Sequence, residues 1–233
     1  MLDVHGLCAH YGQAQILNDV SLSVADGEVV ALLGRNGAGK STTMKAIMGL
    51  LRRIEGRITY NGQTISGQDS YRICRTGIGY VPEDRRIFKE LTVEENLEVG
   101  RRAVRKGVPE WTPENLFDLF PNLRERKHNP GKHLSGGEQQ MLTIARTLMG
   151  NPSLVMLDEP SEGIAPVIVE QMADVILKLK RQGLSVLISE QNLHFARIVA
   201  DRALIIESGQ MRYEGTFQEL ADKPEISQRY LAV

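Results

Sequence analysis

The sequence predicts an α/β domain built on a largely parallel sheet, with antiparallel β-structure at its beginning and a helical segment inserted near its middle. Three observations carry that prediction. Short, wholly apolar runs recur along the chain; amphipathic helical patterns lie between them; and residues 92–149 are helix-rich and strand-poor.

Taken in order, the first residues alternate and turn as antiparallel sheet. A second such patch, Ile58-Thr59-Tyr60-Asn61-Gly62-Gln63-Thr64-Ile65, carries the Asn-Gly pair that favours a two-residue hairpin. Val29-Val30-Ala31-Leu32-Leu33, Leu154-Val155-Met156-Leu157 and Ser185-Val186-Leu187-Ile188 read as strands buried on both faces. A fourth run, Ala203-Leu204-Ile205-Ile206, precedes Ser208-Gly209 and a hairpin through Met211 to Tyr213. Between them, Met44, Ile47, Met48 and Leu51 share a helical face. So do Met141, Ile144, Ala145 and Leu148, in a helix expected over residues 135–149. A third helix starts at Pro166, buries Ile168, Met172, Val175, Ile176 and Leu179, and stops near Gly183.

Charge and composition narrow the function classes. Twenty-eight basic and 29 acidic side chains leave a net charge of -1, so no basic surface for nucleic acid is expected. No apolar run reaches the roughly 18 to 20 residues that cross a bilayer, and the first residues lack a signal-peptide layout. Any membrane role is expected to come through a partner. Cys8 and Cys74 have no metal-ligand spacing and read as two buried or inert thiols.

Three motifs carry chemistry. Gly34-Arg35-Asn36-Gly37-Ala38-Gly39-Lys40-Ser41 follows a buried strand and opens a helix, the context a phosphate-binding loop needs. Gly37 and Gly39 let backbone N–H groups converge on phosphates, Lys40 supplies a point charge, and the Ser41 hydroxyl suits Mg²⁺. The run ending in Asp158-Glu159 places two carboxylates at a strand's carboxyl end, where ligands bind in parallel sheets. Asp158 is expected to hold Mg²⁺ and Glu159 to act as general base on water. That second carboxylate favours hydrolysis over kinase chemistry, which must exclude water. In Leu134-Ser135-Gly136-Gly137-Glu138-Gln139-Gln140, Ser135 and Glu138 form a capping box, and two glycines at the helix start expose N–H groups to an anion.

These motifs, from Gly34 to Thr42, from Leu134 to Gln140 and from Leu154 to Glu159, in that order, resemble the ATP-binding cassette of ABC transporters. The resemblance implies a P-loop NTPase cassette over residues 1–233, with a mostly parallel sheet core, an antiparallel β subdomain and a helical subdomain at about 92–149. It implies ATP and Mg²⁺ as cofactors, and two cassettes meeting head to tail. Ser135, Gly136, Gly137 and Glu138 would then meet the nucleotide bound by the partner, and Tyr11 would stack on adenine. Against the common cassette pattern, Glu83 stands where most members carry glutamine, Gln191 replaces the switch histidine, and Ala165 replaces an aspartate. His194, three residues on, is the alternative to Gln191. An amide can hydrogen-bond a phosphate oxygen but carries no proton or positive charge.

Val81-Pro82-Glu83, Glu190-Gln191-Asn192 and the segment from Ser161 to Pro166 resemble the LivF-type cassette of branched-chain amino acid importers; Asp84 departs mildly. This implies a peripheral ATPase on the cytoplasmic side of the inner membrane. Its expected partners are membrane permease subunits, a second cassette and, indirectly, a substrate-binding protein. The loop from Glu83 to Phe88 and the helical subdomain would grip a permease coupling helix. Alternatives are an importer for another small polar solute, such as urea, and a non-transport cassette ATPase acting on DNA or ribosomes.

Overall fold

A computed structural model describes residues 1–105, 107–108 and 110–231. The chain opens with β1 (Leu2–Tyr11) and β2 (Ala14–Val24), which pair antiparallel. Then come β3 (Val29–Leu33), α1 (Lys40–Ile47), β4 (Ile54–Tyr60), β5 (Gln63–Thr64), α2 (Ser70–Thr76) and β6 (Ile78–Val81). The insert holds α3 (Val93–Gly100), α4 (Pro113–Leu119), α5 (Pro121–Glu125) and α6 (Gly136–Leu148), with no named strand. The remainder alternates: β7 (Leu154–Asp158), α7 (Pro166–Arg181), β8 (Ser185–Glu190), α8 (Leu193–Val199), β9 (Arg202–Glu207), β10 (Gln210–Thr216), α9 (Phe217–Ala221) and α10 (Pro224–Tyr230).

Two sheets result. The antiparallel one has the order β2-β1-β4-β5; the larger has the order β10-β9-β3-β8-β7-β6. Every ladder of the larger sheet is parallel except β9 with β10. The continuous apolar runs follow from burial on both faces. Leu154 and Met156 pack with α1 and the antiparallel sheet, whereas Val155 and Leu157 pack with the insert and α7. Ala31, Leu33, Ala203 and Ile205 meet the closing helices in a third cluster.

The Asn61-Gly62 hairpin forms as expected, with both residues at positive φ (49° and 76°) and Tyr60 opposite Gln63. The helix from Pro166 also forms and stops before Gly183, whose φ is 86°. One helix ends early. Met48 caps α1 and Leu51 lies beyond it, because Gly49 turns left-handed (φ 64°) beside the Gln68 carbonyl. A Cβ on Gly49 would come within 2.2 Å of that oxygen. The thiols also differ from expectation: Cys74 is exposed and Cys8 half-buried. No helix among the described residues is long and apolar enough to cross a membrane.

Candidate functional site

The glycine loop joins β3 to α1, and its neighbours hold it from behind. Gly209 N–H donates to the Ala38 carbonyl at 2.8 Å, while Asn18 N–H donates to the Gly209 carbonyl at 2.8 Å. The β9–β10 turn thereby clamps the loop against β2. Gly39 has φ 114°, and a Cβ there would meet Leu17 at 2.8 Å, so only glycine fits this entry to α1. Gly34 and Ala38 to Lys40 are buried; Arg35, Asn36 and Gly37 face outward at the tip. Thr42 is buried one residue past Ser41.

Lys40 turns back into the site. Its Nζ donates to the carbonyls of Gly34 (2.8 Å) and Arg35 (3.0 Å) and pairs with Glu159 Oε1 at 2.9 Å. Both partners of that ion pair are nearly sealed from solvent, at 3% and 6% side-chain exposure. Breaking such a pair leaves an uncompensated buried charge, which is strongly destabilising.

The carboxylates arrive on adjacent strands. Parallel register sets Asp158 beside Ser189. Asp158 Oδ1 accepts from Ser41 Oγ (2.8 Å) and Ser189 Oγ (2.6 Å), and Oδ2 accepts from Tyr80 Oη (2.9 Å). Burial, then the Asp158 charge, pushes the Tyr80 hydroxyl well above its ordinary value, so it stays a donor. Glu159 sits at φ 46°, an uncommon conformation for a side chain of this type. Its N–H donates to Ser189 Oγ at 3.0 Å.

Gln191 follows β8 and donates from Nε2 to Glu159 Oε2 and to Asn36 Oδ1, both at 2.7 Å. It therefore links the strand end, the second carboxylate and the tip of the glycine loop. His194 is exposed within the first turn of α8. Glu190, buried at the end of β8, accepts from the backbone N–H groups of Ser161, Gln191 and Asn192, each at 3.1 Å. Burial pushes its carboxyl upward against those hydrogen bonds.

Glu83 is exposed in the loop after β6. The Glu162 carboxyl is held above its usual range by burial first, then by the Glu159 carboxylate, with a smaller push from Glu83. Ser135 caps α6 as expected: Ser135 N–H donates to Glu138 Oε2 (2.7 Å) and Glu138 N–H donates to Ser135 Oγ (3.3 Å). Ser135 is exposed, Gly137 packs under Ile168, and Gly136 lies against Arg85. Tyr11 ends β1 opposite Ala14 and is 46% exposed.

The glycine loop, Asp158, Glu159 and Gln191 form one connected network. The α6 start and Tyr11 have no hydrogen bond into it. Sequence reasoning missed Tyr80, Ser189 and Glu190, and the only signal for the last two was that the β8 run continues in polar residues. Among the described residues no group of three His, Cys, Asp or Glu side chains could cage a metal.

The family model described as "ABC transporter" matches residues 17–162. The chain is 42% identical over 231 residues to the "High-affinity branched-chain amino acid transport ATP-binding protein BraG" of Pseudomonas aeruginosa, covering 99% of each. It is 35% identical to the "Lipopolysaccharide export system ATP-binding protein LptB" of Haemophilus influenzae, covering 99% of this chain and 97% of that one. Its fold is similar to a nucleotide-free ATP-binding cassette from an ABC transporter, with a TM-score of 0.82 at 28% identity, covering 97% of this chain and 95% of that one. With a glycine loop facing two strand-end carboxylates and this likeness along its length, the chain belongs to the ABC transporter ATP-binding cassettes and is an ATPase subunit of an ABC transporter.

Proposed function

We propose that this cassette drives uptake of branched-chain amino acids through separate membrane subunits, working head to tail with a second cassette. The observation that carries the solute class is the 42% identity, end to end, with a branched-chain amino acid transport ATPase. Glu83, Gln191 and the Ala165 segment, which depart together from the common cassette pattern, support the same reading.

In this account Lys40 and Glu159, paired at 2.9 Å, are the phosphate-binding cation and the general base. An entering triphosphate offers Lys40 its β and γ oxygens in place of Glu159 Oε1. Glu159 is then free to accept a proton from an attacking water, with Gln191 holding its other oxygen. Gln191 orients by hydrogen bonding alone, since an amide neither gains nor loses a proton here. Ser41 Oγ and the Asp158 carboxylate, already bonded to each other, are hard oxygen donors that fit Mg²⁺, and Glu83 is the further carboxylate this reading would enlist. When bound, the ion would supply neutralisation of the phosphate charge. Ser135 is exposed at the α6 start and Gly136 half-exposed beside it, where a partner's γ-phosphate could reach them, while Gly137 packs under Ile168 and Glu138 holds the cap. Tyr11, exposed at the end of β1, would stack on adenine.

A second reading, lipopolysaccharide export, is favoured by the 35% likeness to an export cassette. Vesicles containing the membrane subunits encoded beside this chain discriminate the two. ATP-driven uptake of labelled leucine, reduced by excess valine or isoleucine but not by urea, is the expected result. Absence of leucine uptake together with ATP-driven lipopolysaccharide extraction would overturn it.

A further inference from the structure

The loop after β6 carries an arginine that the network around Lys40 does not use. Arg85 adopts a left-handed backbone (φ 45°), rare for a residue with a long side chain. Its Nη2 donates to the Glu162 carbonyl at 2.9 Å, three residues past Glu159. Its Nη1 lies so close to the first residue of α6 that a Cβ on Gly136 would come within 2.5 Å of it, and Gly163 stands beside Nη2. No carboxylate lies within ion-pair distance of Arg85 among the described residues, so its geometry is set by the carbonyl and the two glycines. One guanidinium therefore joins three segments that are far apart in the chain. These are the Glu83 loop, the loop that follows the general base, and the start of α6.

We propose that Arg85 is a positioning residue for ATP hydrolysis, tying the loop after Glu159 to the N-terminal turn of α6 so that both shift together with the Glu83 loop. This rests on the cassette reading above, in which the α6 start meets the partner cassette while the loop from Glu83 meets a permease. A planar fork with several donors suits a three-way joint, because one end can hold a carbonyl while the other comes close to a backbone that has no Cβ. A lysine in its place could keep the carbonyl bond but has no second nitrogen to reach Gly136 at the same time. Among the described residues Arg85 has no hydrogen bond or ion pair to the glycine loop, Asp158 or Glu159, so its effect on turnover must pass through the position of the segments it holds.

Hydrogen–deuterium exchange on the full chain, with steady-state ATPase kinetics on the same preparations, tests this for Arg85→Ala and Arg85→Lys. In Arg85→Ala, exchange should rise together over residues 159–165 and 135–138 and stay unchanged over residues 34–41. Its kcat should fall about tenfold, as expected for a misplaced catalytic segment, with KM for ATP within about twofold of the parent. Arg85→Lys should recover part of both effects. Unchanged exchange in either segment, an unaltered kcat, or a rise that also covers residues 34–41 with a higher KM would overturn the proposal. A parent chain that binds but never hydrolyses ATP, alone or with its membrane subunits, would instead sink the functional reading, while the exchange data still decide whether the tie exists.

Discussion

Lys40 Nζ lies 2.9 Å from Glu159 Oε1, so the cation of the glycine loop and the candidate general base are each other's partner. Each is thereby kept from its task until the other is taken away. A triphosphate can do this because it offers Lys40 more negative charge than one carboxylate does. Both side chains are buried, so neither can relax into water.

Lys40→Ala should therefore do two things. ATP affinity should fall by at least about 1.5–3 kcal/mol, the range for a hydrogen bond to a charged group. Stability should also fall, by about 3–5 kcal/mol, if Glu159 is left as a buried unpaired charge. Isothermal titration with ATP and urea denaturation of the same variant measure the two separately.

Glu159→Gln should retain ATP binding and lose turnover by about 10²–10⁴-fold, the range for removal of a general base. The glutamine keeps an acceptor for Lys40 but cannot take a proton from water. Phosphate release at saturating ATP measures it; turnover at the parent rate would remove Glu159 from the mechanism.

Gln191 and His194 make opposite predictions. Gln191 reaches both Glu159 and Asn36 at 2.7 Å, whereas His194 faces solvent on α8. Gln191→Ala should slow hydrolysis about tenfold or more, equivalent to roughly 1.4 kcal/mol of transition-state stabilisation. His194→Ala should stay within about twofold of the parent in the same assay.

Tyr80→Phe removes the Oη donor to Asp158. The loss should be about 1–2 kcal/mol of stability at pH 8. Because the Tyr80 hydroxyl is raised from 10.0, the stabilisation it provides is complete below pH 10 and lost as the pH climbs above it. The gap between parent and variant should narrow between pH 10 and pH 11 in urea denaturation.

Much of this site is legible in the sequence because its parts are local. The glycine spacing from Gly34 to Lys40, the carboxylates closing an apolar strand, and the Ser135–Glu138 capping box each lie within one short window. Tyr80 and Ser189 are not legible in this way. They reach Asp158 from 78 and 31 residues away, through the register of neighbouring parallel strands. The early end of α1 was hidden for a similar reason: Met44, Ile47, Met48 and Leu51 keep helical spacing, yet Gly49 breaks the helix where Gln68 crowds it. Arg85 carries no motif of its own, and only the fold brings Glu162 and Gly136 to its two ends.

In the proposed function this chain holds half of an ATP site and lends the other half, from Ser135 to Glu138, to a partner. ATPase rate per chain, measured across protein concentrations while sedimentation reports the fraction of monomer, tests it most directly. The account predicts that monomer binds ATP but hydrolyses it poorly, with the rate per chain rising as chains associate with each other or with an added partner cassette. Full turnover per chain at dilutions where only monomer remains would contradict it.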